Sequence, residues 1–316
     1  MSVLPSIRDI SSNVIDNVER VILGKHEEVR LVLVALLCEG HLLIEDVPGV
    51  GKTMLAKSIA RSLGCTYARI QCTPDLLPSD ILGVNVFNQQ SGAFEFRPGP
   101  VFNNIVLADE INRATPKTQS ALLECMEERQ VTVDGITRAL PRPFMVIATQ
   151  NPVEYEGTFP LPEAQLDRFF MRLRLGYPSF DAENEMLVGQ KLTHPIESIE
   201  SVVTTDELLR LQKEVREIFV EPALREYIVN IVQETRKSGD YILGASPRGS
   251  LALFRAAQAF SALENRDYIL PDDVKKMAEV TLSHRMIGRY DSKRSISGNG
   301  VLSSIVGRIA VPVINK

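Results

Sequence analysis

Residues 42–55 read LLIEDVPGVGKTML, with a lysine and a threonine directly behind a loop of glycine and proline. In a glycine-rich turn, successive backbone N–H groups point inward and bind an anion. A helix that begins there adds the positive end of its dipole. The strict phosphate-loop pattern is Gly, four residues, then Gly-Lys-Ser/Thr. Gly51-Lys52-Thr53 is intact, but Asp46 stands where the pattern has its first glycine. In such a loop Lys52 would reach the terminal phosphates of a nucleotide, and the Thr53 hydroxyl would bind Mg²⁺. The plain alternative is a tight strand-to-helix turn with a surface lysine, so the loop needs support from elsewhere in the chain.

Residues 105–110, IVLADE, supply it: a short apolar run ending in two acids. A parallel strand buried on both faces reads as a continuous apolar run. Ligands of such sheets sit off the carboxyl ends of the strands. Asp109 would then hold Mg²⁺, directly or through water, and Glu110 would polarise an attacking water. Otherwise the two acids cap the next helix. A third apolar run, 144–149, ends in Gln150-Asn151. At that strand end Asn151 would orient the water or touch the γ-phosphate; alternatively it is a turn residue before Pro152.

The elements needed to place these residues are legible in the periodicity. Apolar Ile7, Ile10, Val14, Val18 and Val21 predict a helix over 7–23, and 29–39 a second, buried one. Strand 41–45, the glycine loop and helix 53–63 give the strand–loop–helix context a phosphate loop requires. Residues 67–71 are a further strand candidate. Two hairpins are expected, one over 84–99 and one over 130–138, where Asp134-Gly135 is a strong two-residue turn signal. Phe87, Phe94 and Phe96 in the first suit a core or a substrate grip equally. From about Pro178 helical periods take over, at 208–219, 224–235, 250–264 and 272–283, with a hinge near 176–181. Ser246-Pro247-Arg248 reads as an N-cap, a proline at the first helical position and an arginine in the first turn. A cation there opposes the helix dipole unless a phosphate is near. Residues 188–205 read as a strand pair or loop. The Gly/Ser-rich and then apolar tail would pack on the helices or on a neighbour. Arg285, Arg289, Lys293 and Arg294 read as a solvated basic face.

The chain has 316 residues, enough for two domains, with 44% hydrophobic and 24% charged residues. A net charge of −5 and a pI near 5.6 argue against bulk electrostatic binding of nucleic acid. The first residues show no basic-then-apolar signal. The longest aliphatic run, 31–38, is far too short to span a bilayer. Cys38, Cys65, Cys72 and Cys125 are not spaced as metal-binding pairs. The expectation is a soluble, cytoplasmic protein.

Together these residues resemble the AAA+ ATPases, and more closely their MoxR family. The matching text is EDVPGVGKT, then PGPVFNNIVLADEINRATPKTQSALLECMEERQVTV, FMVIATQNPVEYEGTFPLPEAQLDRF and GASPRGS, spanning about residues 20 to 285. The resemblance implies an α/β fold: an AAA+ core over 1–177, with a parallel sheet flanked by helices and the two hairpins as inserts, then a small all-helical lid over 178–316. It implies ATP and Mg²⁺ as cofactors, with Lys52 and Thr53 as Walker A, Asp109 and Glu110 as Walker B and Asn151 as sensor 1. The metal would rest on Thr53 and Asp109. The nucleotide-binding set would be Ile22, Leu23, Pro48, Gly49, Val50, Gly51, Lys52, Thr53 and Met54, with Ile22 and Leu23 beside the adenine. Arg168, in LDRF, is similar to the arginine finger that reaches a neighbour's nucleotide, with Arg113 as a rival. Arg248 is similar to sensor 2, on a lid that would close on the nucleotide. The family implies a homo-oligomeric, hexameric ring that remodels client complexes with a von Willebrand factor A-domain protein on another chain. A nucleic-acid motor or transcription activator, and a magnesium-chelatase-like subunit, are the competing readings. The acidic balance and the missing Gly-Ala-Phe-Thr-Gly-Ala loop weigh against the activator.

Overall fold

The computed structural model describes residues 6–152, 157–189, 195–289 and 299–312. Helices α1 (Ile7–Glu19) and α2 (His26–Leu37) lead the chain. α1 starts in a capping box: the Ser6 hydroxyl accepts from the Asp9 N–H, and the Asp9 carboxylate accepts from the Ser6 N–H. Then β1 (Leu42–Glu45), α3 (Lys52–Ser62) and β2 (Tyr67–Gln71) alternate. A five-residue α4 (Pro78–Leu82) precedes the hairpin of β3 (Gly83–Asn88) and β4 (Ala93–Pro98). β5 (Ile105–Asp109) and α5 (Pro116–Glu128) follow, then the second hairpin, β6 (Gln130–Val133) and β7 (Ile136–Ala139). β8 (Met145–Gln150), a one-turn α6 (Glu163–Leu166) and β9 (Met171–Leu173) complete this half.

Five strands form one sheet in the order β2-β5-β8-β1-β9, and every pairing is parallel. Side chains alternate across a strand, so each buried run feeds two cores. Leu42, Ile44, Ile105, Leu107 and Ile147 face the core shared with α1, α2 and α3. Leu43, Val106, Ala108, Val146 and Ala148 face the one shared with α5. This explains why β1, β5 and β8 read as continuous apolar text. β8 lies between the strand that enters the glycine loop and the strand that ends in the two acids.

The C-terminal half is a helical lid: α7 (Phe180–Gly189), α8 (Thr205–Val215), α9 (Pro222–Lys237), α10 (Pro247–Leu263), α11 (Pro271–Leu282) and α12 (Asn299–Arg308). Within it a small antiparallel ribbon pairs β10 (Tyr241–Leu243) with β11 (Ile287–Gly288), so the lid is not wholly helical. Residues 195–198 form a 3₁₀ turn in the stretch expected to be a strand pair or loop. The tail helix α12 buries Leu302 and Val306 in the main core. Among the described residues no helix is long and apolar enough to cross a membrane.

The hairpins stand on the surface and are tied together. Asn85 Nδ2 donates to Asp134 Oδ2 at 2.6 Å, and the Arg138 guanidinium lies 3.9 Å from the Phe96 ring. Phe96 also meets Phe102 edge-on at 5.5 Å. Phe87 and Phe94 stack edge to face at 5.4 Å and stay exposed, so neither is a core residue.

Candidate functional site

The glycine loop runs from the end of β1 into α3. Gly49 and Gly51 have φ of +86° and +90°, a region that L side chains rarely adopt. Gly51 occupies the N-cap of α3, and no side chain caps that helix end. That helix end, with no capping side chain, opens on the cavity that Gly51, Lys52, Thr53 and Met54 line. Lys52 Nζ donates to the Asp46 carbonyl at 2.7 Å. Ile22 is near the loop: its Cδ1 would lie 3.9 Å from a Cβ at Gly51. Leu23 and Val50 are half-buried beside it.

Asp46, the departure from the phosphate-loop pattern, is buried and closes the loop from below. Its Oδ1 accepts from the Val47 N–H at 2.9 Å and its Oδ2 from the Gly176 N–H at 2.5 Å. The carboxylate therefore straps the loop to the segment that leads into α7. Lys25 reinforces the strap by donating to the Tyr177 carbonyl at 3.0 Å and to the Leu175 carbonyl.

Off the carboxyl edge of the sheet lies a cavity of about 390 Å³, lined by the loop residues Pro48, Gly49, Gly51, Lys52, Thr53 and Met54 and by Arg69, Gln71, Asp109, Glu110 and Asn151. Asp109 ends β5. Its Oδ1 accepts from the Thr149 hydroxyl at 2.6 Å on the buried side, and its Oδ2 accepts from Arg69 Nη2 at 2.6 Å. Glu110 has φ of +57°, which turns the chain sharply; its N–H donates to the same Thr149 hydroxyl at 2.8 Å. Its Oε2 accepts from Gln71 Nε2 at 3.2 Å and from Arg113 Nη1 at 3.1 Å. Arg113 thus sits on its own chain's Glu110. Asn151 is buried at the end of β8, between loop and acids. The Thr53 hydroxyl and the Asp109 carboxylate are hard oxygen donors suited to Mg²⁺. Lys52 and the N-terminal end of α3 suit phosphates.

Arg168 and Arg248 are not among the cavity residues. Both meet Glu127 near the end of α5: Arg168 Nε lies 3.1 Å from Glu127 Oε2, and Arg248 Nη2 pairs with Oε1. Ser246 does cap α10, its hydroxyl accepting from the Arg248 N–H at 3.1 Å. Asp167 pairs away from its neighbour Arg168. It accepts from the Ser246 hydroxyl at 2.9 Å and from Arg285 Nη1 at 2.6 Å. Arg285 is buried, which corrects its reading as part of a solvated basic face. Arg289 is exposed, and Lys293 and Arg294 lie outside the described residues. Burial draws the Arg285 guanidinium below its ordinary pKa, against the opposing pull of the Asp167 carboxylate. Further bonds to the carbonyls of Asp167, Phe169 and Thr281 hold it in place.

The sequence reading missed Arg69, Gln71, Thr149 and Glu127. Arg69 and Gln71 share one face of β2, and Gln71 registers against Asp109. Two polar residues at period two, on a strand beside the acidic one, were the available signal. Glu127 had none, because its partners are remote in sequence.

Residues 41–171 match the family described as the ATPase family associated with various cellular activities (AAA), and 233–304 match the AAA lid domain. An uncharacterised Bacillus subtilis protein, YeaC, is 51% identical over 99% of this chain and 98% of its own length. Chaperone MoxR1 of Mycobacterium tuberculosis is 43% identical over 94% of this chain and 81% of its own. A crystal structure from Cytophaga hutchinsonii, of a protein proposed to be an ATPase, superposes with a TM-score of 0.91 at 39% identity, covering 97% of this chain and 96% of that one.

Proposed function

Because the chain belongs to the MoxR family of AAA+ ATPases, we propose that it hydrolyses Mg²⁺-ATP to ADP and phosphate and works as a chaperone-like remodeller, as one subunit of a homo-oligomeric, hexameric ring. The observation that carries this is the gathering of Lys52, Thr53, Asp109, Glu110 and Asn151 around one cavity at the carboxyl edge of a parallel sheet. In this scheme Lys52 and the α3 amides hold the phosphates. Thr53 and Asp109 would hold Mg²⁺, which would supply charge neutralisation for the phosphates. Glu110 takes the proton of the attacking water and Asn151 orients it. Ile22 and Leu23 flank the adenine. We assign residues 1–177 to the nucleotide-binding core and 178–316 to the lid.

The ring is supported by the pairing of Arg168 and Arg248 on Glu127, outside their own chain's cavity. An arginine of the core and an arginine of the lid are thereby presented side by side. We assign both to a neighbouring subunit's nucleotide, where a trans arginine can add about 10³–10⁵ in rate. The other reading of Arg248 is the sensor 2 role, on a lid that closes over its own chain's nucleotide. The client is a protein complex matured in the cytoplasm, with a von Willebrand factor A-domain protein on a separate chain as partner.

The test is ATP turnover against protein concentration, with mass measured by light scattering, for wild type, Glu110→Gln and Arg168→Ala. Turnover per chain should rise as assemblies form. Glu110→Gln should keep ATP binding and lose about 10²–10⁴ in rate, and Arg168→Ala should assemble but stay slow. Turnover per chain that is flat and indifferent to Arg168 would refute the shared site, and unchanged turnover in Glu110→Gln would refute the assignment of the base.

A further inference from the structure

Asp109 offers its two oxygens unequally. Oδ1 is committed to the Thr149 hydroxyl on the buried side of the strand end. Oδ2, the more open oxygen, carries the Arg69 guanidinium at 2.6 Å. Arg69 is not a buried structural arginine: its side chain is 46% exposed and it lines the same cavity as Lys52 and Thr53. The same Nη2 also donates to Gln71 Oε1 at 2.7 Å. An unbroken chain, Asp109–Arg69–Gln71–Glu110, therefore links the two acids across the β5 and β2 strand ends.

A guanidinium and a divalent cation on one carboxylate would be like charges at close range, each weakening the hold of the other. Resting on the Mg²⁺-nucleotide reading above, we propose that Arg69 is the resident counter-cation of Asp109, holding the open carboxylate oxygen until metal-nucleotide binds and then leaving it. Arg69 is on this view a positioning residue. It keeps Asp109 from repelling phosphates while no metal is present, and it sets how strongly metal and nucleotide are coupled. Its departure also removes the donor that orients the Gln71 amide, so Asp109's change of partner reaches Glu110 through side chains already in contact.

The quantity to measure is the ratio of Kd for a fluorescent ADP analogue in EDTA to its Kd in saturating Mg²⁺, by anisotropy at constant ionic strength. Loss of the guanidinium exposes Asp109 to the phosphates without metal and removes a competitor with metal, so both effects raise the ratio. Arg69→Gln should raise it about three- to fivefold, the scale of a partly exposed charge pair. Arg69→Lys keeps the charge and should return it to within about twofold of wild type. A ratio in Arg69→Gln equal to or below wild type would overturn the inference, because a merely structural pair lowers affinity without strengthening metal coupling. A ratio in Arg69→Lys as high as in Arg69→Gln would overturn it too, since charge would not be the cause. If wild type binds no nucleotide in either condition, the nucleotide reading fails and this inference with it.

Discussion

Asp167→Ala tests the joint that carries the arginine pair. Asp167 accepts from Arg285 at 2.6 Å and from Ser246, the cap of α10, at 2.9 Å. Its removal leaves a buried guanidinium, 3% exposed at the side chain, without a counter-charge. Breaking a buried pair by deleting one partner costs about 3–5 kcal/mol. The lower end applies here, because Arg285 keeps bonds of 2.7, 2.6 and 2.7 Å to the carbonyls of Asp167, Phe169 and Thr281. With roughly 2.1 cal/mol/K of unfolding entropy per residue, 316 residues give about 0.66 kcal/mol/K, so a loss of about 3 kcal/mol lowers Tm by about 4–5 °C. The chain has no tryptophan, so far-UV circular dichroism is the suitable probe. Asp167→Asn, which keeps the acceptor oxygen, should fall between the two. A Tm within about 1 °C of wild type for Asp167→Ala would show that the ion pair does not bolt lid to core. If it does, the same substitution should also slow ATP turnover, because Arg168 is the next residue.

Acid should destabilise the fold through His41. Its Nδ1 accepts from the Val146 N–H at 2.9 Å and its Nε2 donates to the Met126 carbonyl at 3.0 Å, which fixes a neutral ring. Burial draws its pKa down to about 4 from an ordinary 6.5. The unfolded chain takes the proton below about 6.5 and the folded one only near 4, so stability is full above that window and falls as pH drops through it. About 2 kcal/mol should be gone by pH 5. His284, displaced downward mainly by burial, acts in the same direction. Urea midpoints at pH 7 and pH 5 should diverge less in His41→Asn than in wild type; an equal divergence would exonerate His41. Asp46→Ala should leave the Val47 and Gly176 N–H groups without their acceptor, costing about 1–3 kcal/mol of stability and weakening nucleotide binding. Nucleotide affinity equal to wild type would show that the strap does not shape the loop.

Much of the fold was legible because its three inner strands, β5, β8 and β1, bury both faces. β2 was readable to the residue, and β1, β5 and β8 to within one residue at each end. The Asp134-Gly135 turn was legible because both residues need positive φ, here +50° and +76°. The strand β9 was not, being three residues long and paired only through the remote β1. The β10–β11 ribbon failed for the same reason. Arg285 was misjudged because it stands among other basic residues in the text, while its burial depends on an aspartate more than a hundred positions earlier.

The same limit governs the site. The loop, the two acids and Asn151 could be found because each stands at a strand end, and these strand ends are visible where an apolar run gives way to polar text. What tunes them could not, because it is made of long-range ion pairs. Arg69 neutralises Asp109 from the next strand, and Glu127 holds Arg168 and Arg248 from another helix. Both pairings have one physical character: a partly exposed arginine resting on a carboxylate, closer to a surface ion pair of about 0–1 kcal/mol than to a buried one, and so able to yield to a stronger ligand. A phosphate from a neighbouring subunit would compete with Glu127 for two arginines at once, so the core arginine and the lid arginine would change partner together. Weakness is then what suits these pairs to a cycle. A buried pair such as Asp167–Arg285 keeps the joint fixed, while the exposed pairs around it can be exchanged at each turnover.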